Sequence, residues 1–352
     1  MSNVGSKIKK LGLMKAYDFL DKDPEANLPK LVDWFDRYVS PDVPSTQRDL
    51  FREIVEKKDS NWYQLLVSLW SDFDDDVRKA LFENLIINAN ALAAPQAKES
   101  REKFGCNIPW AISLDISNRE SEGNMSFDDW DSVIEQAKDL GTFMFAFEGG
   151  EPMETPEEII ALCNKHSECQ FMIFTDGRNI DDDFADQMLR VKNLIVTIKV
   201  TKDIPGEELV KSLKILREKK LPFGAYCIYN KDNQDIFTNE AFFDRLIEYG
   251  AKFCLFFSSL SAEEDKIYPK MQEYRKSKQL LTINFCKDQD ITGGCVAGGK
   301  YYCSINSKGE IEPCFFVNQS DSNVRKNTLL EAYRAPLFMK YHDTQVPCNA
   351  EK

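Results

Sequence analysis

Residues 142–152 read TFMFAF followed by Glu148-Gly149-Gly150-Glu151-Pro152. The first six residues make a short apolar strand, and two glycines with an acid and a proline behind them make a tight, rigid turn at its C-terminal end. In a parallel sheet that end is where ligands bind. Glycines let a polar head approach the backbone, whose bare N–H and C=O groups can pair with an ammonium or a carboxylate. Gly149, Gly150, Glu151 and Pro152 are therefore candidate ligand-binding residues, although the same four also suit an ordinary strand-to-helix turn.

Working outward, five more apolar stretches of strand length alternate with amphipathic helices: WAISLDI (110–116), QFMIFT (170–175), LIVTIKV (194–200), FGAYCIY (223–229) and KFCLFF (252–257). Six βα units in series predict an α/β chain with a parallel sheet. Ser126 with Asp129 three residues on predicts a helix start, and Gly141 its stop. Upstream, LMKAYDFLDKD, LPKLVDWFDRYV, TQRDLFREIVEKK, WYQLLVSLW and DVRKALFENLIINANALAA space apolar residues by three and four, which predicts helix after helix. Three parts are expected: a helical N-terminal domain over 1–100, a partial (β/α)6 barrel over 101–285 and a small cysteine-rich domain over 286–352.

The 352 residues, 43% hydrophobic with 24 Phe, 12 Tyr and 5 Trp, are enough for a large core. A net charge of -13, with no basic run, repels phosphate backbones, so nucleic acid is not expected as a partner. No apolar stretch reaches the roughly 18–20 residues that cross a bilayer. The start, MSNVGSKIKKLG, leads into an amphipathic helix and not an apolar signal core, so a cytoplasmic location and no membrane partner are expected.

On the stretches FGCNIPWAISLDI, DSVIEQAKDLG, FEGGEPM, DDDFADQMLRVKN, KKLPFGAYCIY and GGCVAGGKYYCSINSKGEIEPC, nearly the whole chain resembles the radical S-adenosylmethionine (SAM) superfamily, in a subgroup with a SPASM-like C-terminal extension. The resemblance implies a partial (β/α)6 barrel whose Gly-Gly-Glu-Pro turn holds the methionine end of SAM. It also implies a Cys-x3-Cys-x2-Cys loop after the first strand, whose thiolates hold three irons of a [4Fe–4S] cluster. Here that connection, Ser117 to Asn124, contains no cysteine. Cys106, Trp110 and Ser113 have the spacing of such a motif, but Cys106 precedes the strand, whose seven residues separate the two ends by about 23 Å. Glu148 adds a carboxylate before Gly-Gly, and Lys199 and Thr201 stand on the fourth strand, where relatives contact SAM with polar or acidic residues. SAM binding is in doubt, as well as its cleavage.

Of the ten cysteines, Cys106, Cys163, Cys169, Cys227 and Cys254 lie in apolar or helical stretches and read as buried small hydrophobes. The others crowd the last fifth of the chain. The Cys-x2-Gly, hairpin and Pro-Cys arrangement resembles the SPASM or twitch extension, which implies an auxiliary [4Fe–4S] cluster with Cys295, Cys314 and Cys348 as ligands and Cys303 as a fourth. A hairpin turned by Asn306-Ser307-Lys308-Gly309 can bring Cys295 and Cys314 together. A metal-free hairpin and a four-cysteine zinc site remain alternatives.

The two histidines suggest neither a triad nor a metal site: His166 follows a helix and is expected to face solvent, and His342 lies near the end of the last helix. Acidic runs at 74–76 and 181–183 read as solvated helix caps. Two functions stay open. One is a pseudoenzyme that uses the barrel to bind a substrate or an active radical SAM paralogue. The other is a working Fe–S oxidoreductase with a rebuilt site, or a chain that has lost its cluster loop.

Overall fold

The computed structural model describes residues 3–30, 52–116, 123–201, 207–258, 260, 263–288, 294–314 and 316–343. Seven parallel strands follow one another: β1 (Ala111–Asp115), β2 (Met144–Glu148), β3 (Gln170–Thr175), β4 (Leu194–Lys199), β5 (Phe223–Tyr229), β6 (Phe253–Ser258) and β7 (Leu281–Asn284). The six strands expected from the sequence are all present, and β7 extends the sheet by one. A C-terminal hairpin, β8 (Tyr302–Ile305) and β9 (Ile311–Glu312), completes a curled sheet of order β7-β6-β5-β4-β3-β2-β1-β8-β9. Its turn is the expected one at Asn306–Gly309: the Asn306 side chain accepts from the N–H of Lys308 and Glu310, and Gly309 takes φ 81°. Because β8 runs parallel to β1 with Ile112 opposite Cys303, the hairpin continues the barrel's sheet.

Residues alternate across each strand, so one set faces a helix layer and the other the concave side. Phe145, Phe147, Phe171 and Ile173 face the helices and are fully buried, and the Phe147 and Phe171 rings stack at 5.2 Å between centroids. Truncating one such ring costs about 3–5 kcal/mol. The N-terminal helices are α1 (Asn3–Lys22), α2 (Asn61–Asp72), α3 (Asp75–Leu81), a π-helix (Phe82–Leu92) and α4 (Ala93–Phe104). Those expected over 28–39 and 46–58 fall largely outside the described residues. The helix layer proper is α5 (Phe127–Leu140), α6 (Pro156–Lys165), α7 (Asp182–Val191), α8 (Glu207–Glu218), α9 (Gln234–Phe237), α10 (Glu240–Tyr249) and α11 (Ile267–Tyr274). It is followed by α12 (Leu329–Tyr333) and α13 (Pro336–Asp343).

Helix α5 begins with the expected capping box of Ser126 and Asp129 and ends at Gly141, φ 102°. A Cβ on Gly141 would stand 2.7 Å from the Ala97 nitrogen, so this glycine also lets α4 approach the barrel. The other acidic runs behave as caps: Asp74 accepts from the N–H of Asp76 and Val77, and Asp181 from that of Phe184.

The N-terminal helices seat on the segments that lead into the strands. Asn84 donates to the carbonyls of Ser167 and Cys169, Asn88 to that of Glu168, and Gln96 to those of Lys138 and Asp139. Asn61 donates to the carbonyls of Arg275 and Lys278, and Lys252 reaches Asp72. Side-chain amides thus satisfy carbonyls at the strands' N-terminal rim, opposite the end that carries the Gly-Gly turn. Among the described residues no helix is long and apolar enough to cross a membrane.

His166 does not face solvent. Its side chain is 0% exposed, because the turn between α6 and β3 folds back under α5 and encloses the ring. It also joins a cluster with Asp131 and Glu135, whose 35- and 31-residue distance along the chain hides the association. By contrast Cys106, Cys163, Cys169, Cys227 and Cys254 are all fully buried, as expected of small hydrophobes.

Candidate functional site at the barrel mouth

The turn after β2 is held by its own acid. Gly149 and Gly150 take φ 87° and 36°, so the chain reverses direction in a region that favours glycine. Glu151 then turns its carboxylate inward: Oε1 accepts from the N–H of Met153 at 3.0 Å and the Thr175 hydroxyl at 2.5 Å, and Oε2 from the N–H of Asp176 at 2.7 Å. Both oxygens are committed to locking the turn against the end of β3. Pro152 is buried at the start of a short 3-10 helix, and Gly150 is the exposed point of the turn. The part of this turn open to solvent is therefore the glycine backbone, with Glu151 and Pro152 fixing its shape.

Beside the turn the concave face is acidic. Glu148 closes β2 opposite Asp115 of β1, and its Oε1 accepts from the Ser304 hydroxyl of β8 at 2.8 Å. Burial pushes the Glu148 carboxyl up, the neighbouring Asp115 pushes it further, and hydrogen bonding with Ser113, Ser304 and Tyr302 works against both. Glu312 of β9 lies in the same wall. Burial raises its pKa too, against a hydrogen bond from Asn306 at 3.1 Å and with Glu310, Glu148 and Asp115 adding to the rise. Five donors of hard oxygen thus stand where the strand ends converge: Asp115, Glu148, Glu312, Ser113 and Ser304.

Facing that wall is an aromatic one. Phe174 of β3, Tyr226 of β5, Phe257 of β6 and Phe285 after β7 touch in sequence, with centroids at 5.0 Å, 6.4 Å and 4.7 Å. The Tyr226 hydroxyl is held protonated by burial, with Glu151, Glu148 and Asp176 contributing. This wall was missed in the sequence, although alternation within QFMIFT, FGAYCIY and KFCLFF puts all three strand aromatics on one face. Lys199 ends β4 on the same face and is exposed, and Thr201 is also exposed.

The C-terminal cysteines separate into two environments. The segments of Cys295 and Cys314 are tied through Gly298 N–H to the Pro313 carbonyl at 2.9 Å, and both cysteines are half-buried. A Cβ on Gly298 would stand 2.2 Å from that of Tyr341, so this turn is pressed against α13. Cys303 is 0% exposed on the helix-facing side of β8, where burial drives its thiol pKa up and Tyr333 lies beside it. A ligand role for Cys303 does not fit that packing, because the thiol would have to leave the core. Cys348 and residues 117–122 of the β1–α5 connection lie outside the described residues. Among the described residues Cys295, Cys303 and Cys314 are not grouped as a single-ion site.

The donors at the mouth do not suit a [4Fe–4S] cluster: thiolates hold such iron, and this wall offers carboxylates and hydroxyls. Cys295 and Cys314, half-buried on paired segments, carry the soft sulfur that such iron takes.

No family model matches the chain. The AdoMet-dependent heme synthase of Methanosarcina barkeri is 20% identical over 292 residues, 68% of this chain and 83% of that protein. Among solved structures, SuiB of Streptococcus suis bound to S-adenosylmethionine superposes with a TM-score of 0.57 at 17% identity over 71% of each chain. SuiB bound to its precursor peptide SuiA gives 0.54 at 16% identity, again over 71% of each chain. At such identities the likeness concerns the path of the backbone, and that path agrees with the curled sheet and the glycine turn after its second strand. The chain has the radical S-adenosylmethionine fold.

Proposed function

We propose that this chain is a pseudoenzyme of the radical SAM fold, which keeps the barrel mouth as a binding surface for a substrate or for an active paralogue. The observation that carries this reading is the absence of any cysteine between Ile116 and Phe127. Reductive cleavage of SAM needs an iron with an open position beside the sulfonium, and the loop that would hold it has no thiolate. The acidic wall agrees with this: a cluster bearing three thiolates is anionic, and Asp115, Glu148 and Glu312 oppose it there. What remains at the strand ends is a set of carboxyl groups from β1, β2 and β9 and aromatic rings from β3, β5 and β6, suited to a ligand with a cationic head and an apolar body.

In this reading Cys295, Cys314 and Cys348 hold an auxiliary cluster that fastens the C-terminal segment to the sheet. Cys303 stays in the core. The protein works in a reducing compartment, the cytoplasm, in keeping with nine free cysteines among the described residues.

The test is a reduced reaction with SAM, with 5′-deoxyadenosine read by chromatography. No product above the enzyme-free background is expected. Turnover that disappears in Gly150→Trp would establish the other reading, an active enzyme with a rebuilt site.

A further inference from the structure

On the helix-covered side of the sheet, away from the barrel mouth, a second group of ligating side chains comes together between α5 and the end of α6. Asp131 and Glu135 lie four residues apart on α5 and so share a face. His166 caps α6, and one ligand atom from each of the three lies within 4.8 Å of the other two.

The histidine supplies the independent observation. Its ring is wholly buried, its Nε2 stands 3.0 Å from Asp131 Oδ1, and neither atom has a hydrogen-bond partner. The contact is close but not directed as an N–H···O bond, so two buried polar atoms face each other with nothing between them. Leaving both unsatisfied is costly, and a shared cation removes that cost. The remaining atoms of the cluster are occupied in ways that hold it in place. Asp131 Oδ2 is bound by Lys165 at 2.9 Å, Nδ1 of the ring faces Lys138 at 3.3 Å, and Lys138 joins Glu135 at 2.8 Å and Glu168 at 2.7 Å.

We propose that Asp131, Glu135 and His166 form a site for one divalent transition ion of the zinc class. One imidazole and two carboxylates suit that ion, and three protein ligands leave a position for water. Glu135, with 54% of its side chain exposed, opens the site to solvent. The ion would clamp the α6–β3 turn to α5, a structural role on the outer layer that is separate from ligand binding at the mouth.

The experiment uses the full chain carrying Cys295→Ser and Cys314→Ser, stripped with chelator and titrated with zinc chloride by calorimetry, with metal content read after gel filtration. One zinc per chain is expected. Asp131→Asn and His166→Asn, each checked for fold by circular dichroism, should weaken binding by more than about 100-fold, beyond what loss of a supporting residue causes. Lys165→Met, which removes a cation competing for Asp131 at an exposed position, should tighten it. Failure of the parent to bind zinc, or Asp131→Asn binding as the parent does, would overturn the proposal and leave the cluster as an ion-pair network. Should His166→Asn fail to fold, Asp131→Asn and Glu135→Gln decide the question.

Discussion

Asp115 and Glu148 are register partners at the last positions of β1 and β2, so two carboxyl groups from adjacent parallel strands meet at the mouth of the barrel. In the family that this chain resembles, the loop beyond β1 brings thiolates to this place. Here the neighbourhood instead raises the proton affinity of a carboxylate, through burial first and like charge second.

Glu148 should therefore oppose folding at neutral pH. Its folded-state pKa lies above an unfolded value of about 4.3, so its favourable contribution is complete below that pH and is lost as pH rises through the raised value. Glu148→Gln keeps an acceptor for Ser304 and removes the charge. Thermal midpoints measured from pH 4 to pH 8 should show the variant gaining on the parent as pH rises, by about 1.4 kcal/mol for each unit of pKa displacement. Parallel curves for the two proteins would contradict the assignment.

Anaerobic reconstitution should give about four iron and four sulfide atoms per chain, or none, because the proposed ligands Cys295, Cys314 and Cys348 serve one cluster and the loop after β1 has no thiolate. A content near eight would contradict this if the absorbance survived the combined change Cys295→Ser and Cys314→Ser.

Loss of Cys314 and loss of Cys163 should differ in their dependence on metal. Metal shared by Cys295, Cys314 and Cys348 would count as folding free energy, so Cys314→Ser should lower the thermal midpoint of loaded protein and change little once metal is stripped. Cys163 is fully buried on α6, and Cys163→Ser puts a hydroxyl among apolar neighbours at about 1–3 kcal/mol with or without metal. If chelation leaves the midpoint and the protease resistance of residues 286–352 unchanged, the auxiliary-cluster assignment falls.

Gly141→Ala should destabilise the protein more than Gly105→Ala. Both glycines have positive φ, which costs an alanine about 1–2 kcal/mol, but the new Cβ at 105 meets nothing within 4 Å while that at 141 strikes the α4 backbone at Ala97. An additional cost of about 1–3 kcal/mol is expected at 141 in urea unfolding. Equal losses at the two positions would mean that α4 does not press on the end of α5 as described.

The strands were legible in the sequence because each is a short run of apolar residues bounded by turn-formers, and two of the six, Gln170–Thr175 and Phe223–Tyr229, were read to the residue. The caps at Ser126 and Gly141 were legible for a similar reason, since a helix end depends on contacts within a few residues. The aromatic wall of Phe174, Tyr226, Phe257 and Phe285 could be seen only in part: alternation assigns a face, but not which faces meet across a curled sheet.

By itself, the sequence determined the order of strands and helices, the glycine turn after β2 and the absence of cysteine from the loop after β1, all of which are local in the chain. Only the tertiary structure decided that Cys303 goes to the core, that Glu148 meets Asp115 and Ser304, and that His166 is buried against Asp131. Each of those outcomes depends on which elements become neighbours in space. A side chain's burial and proton affinity come from groups tens or hundreds of residues away, and no spacing within a segment records them.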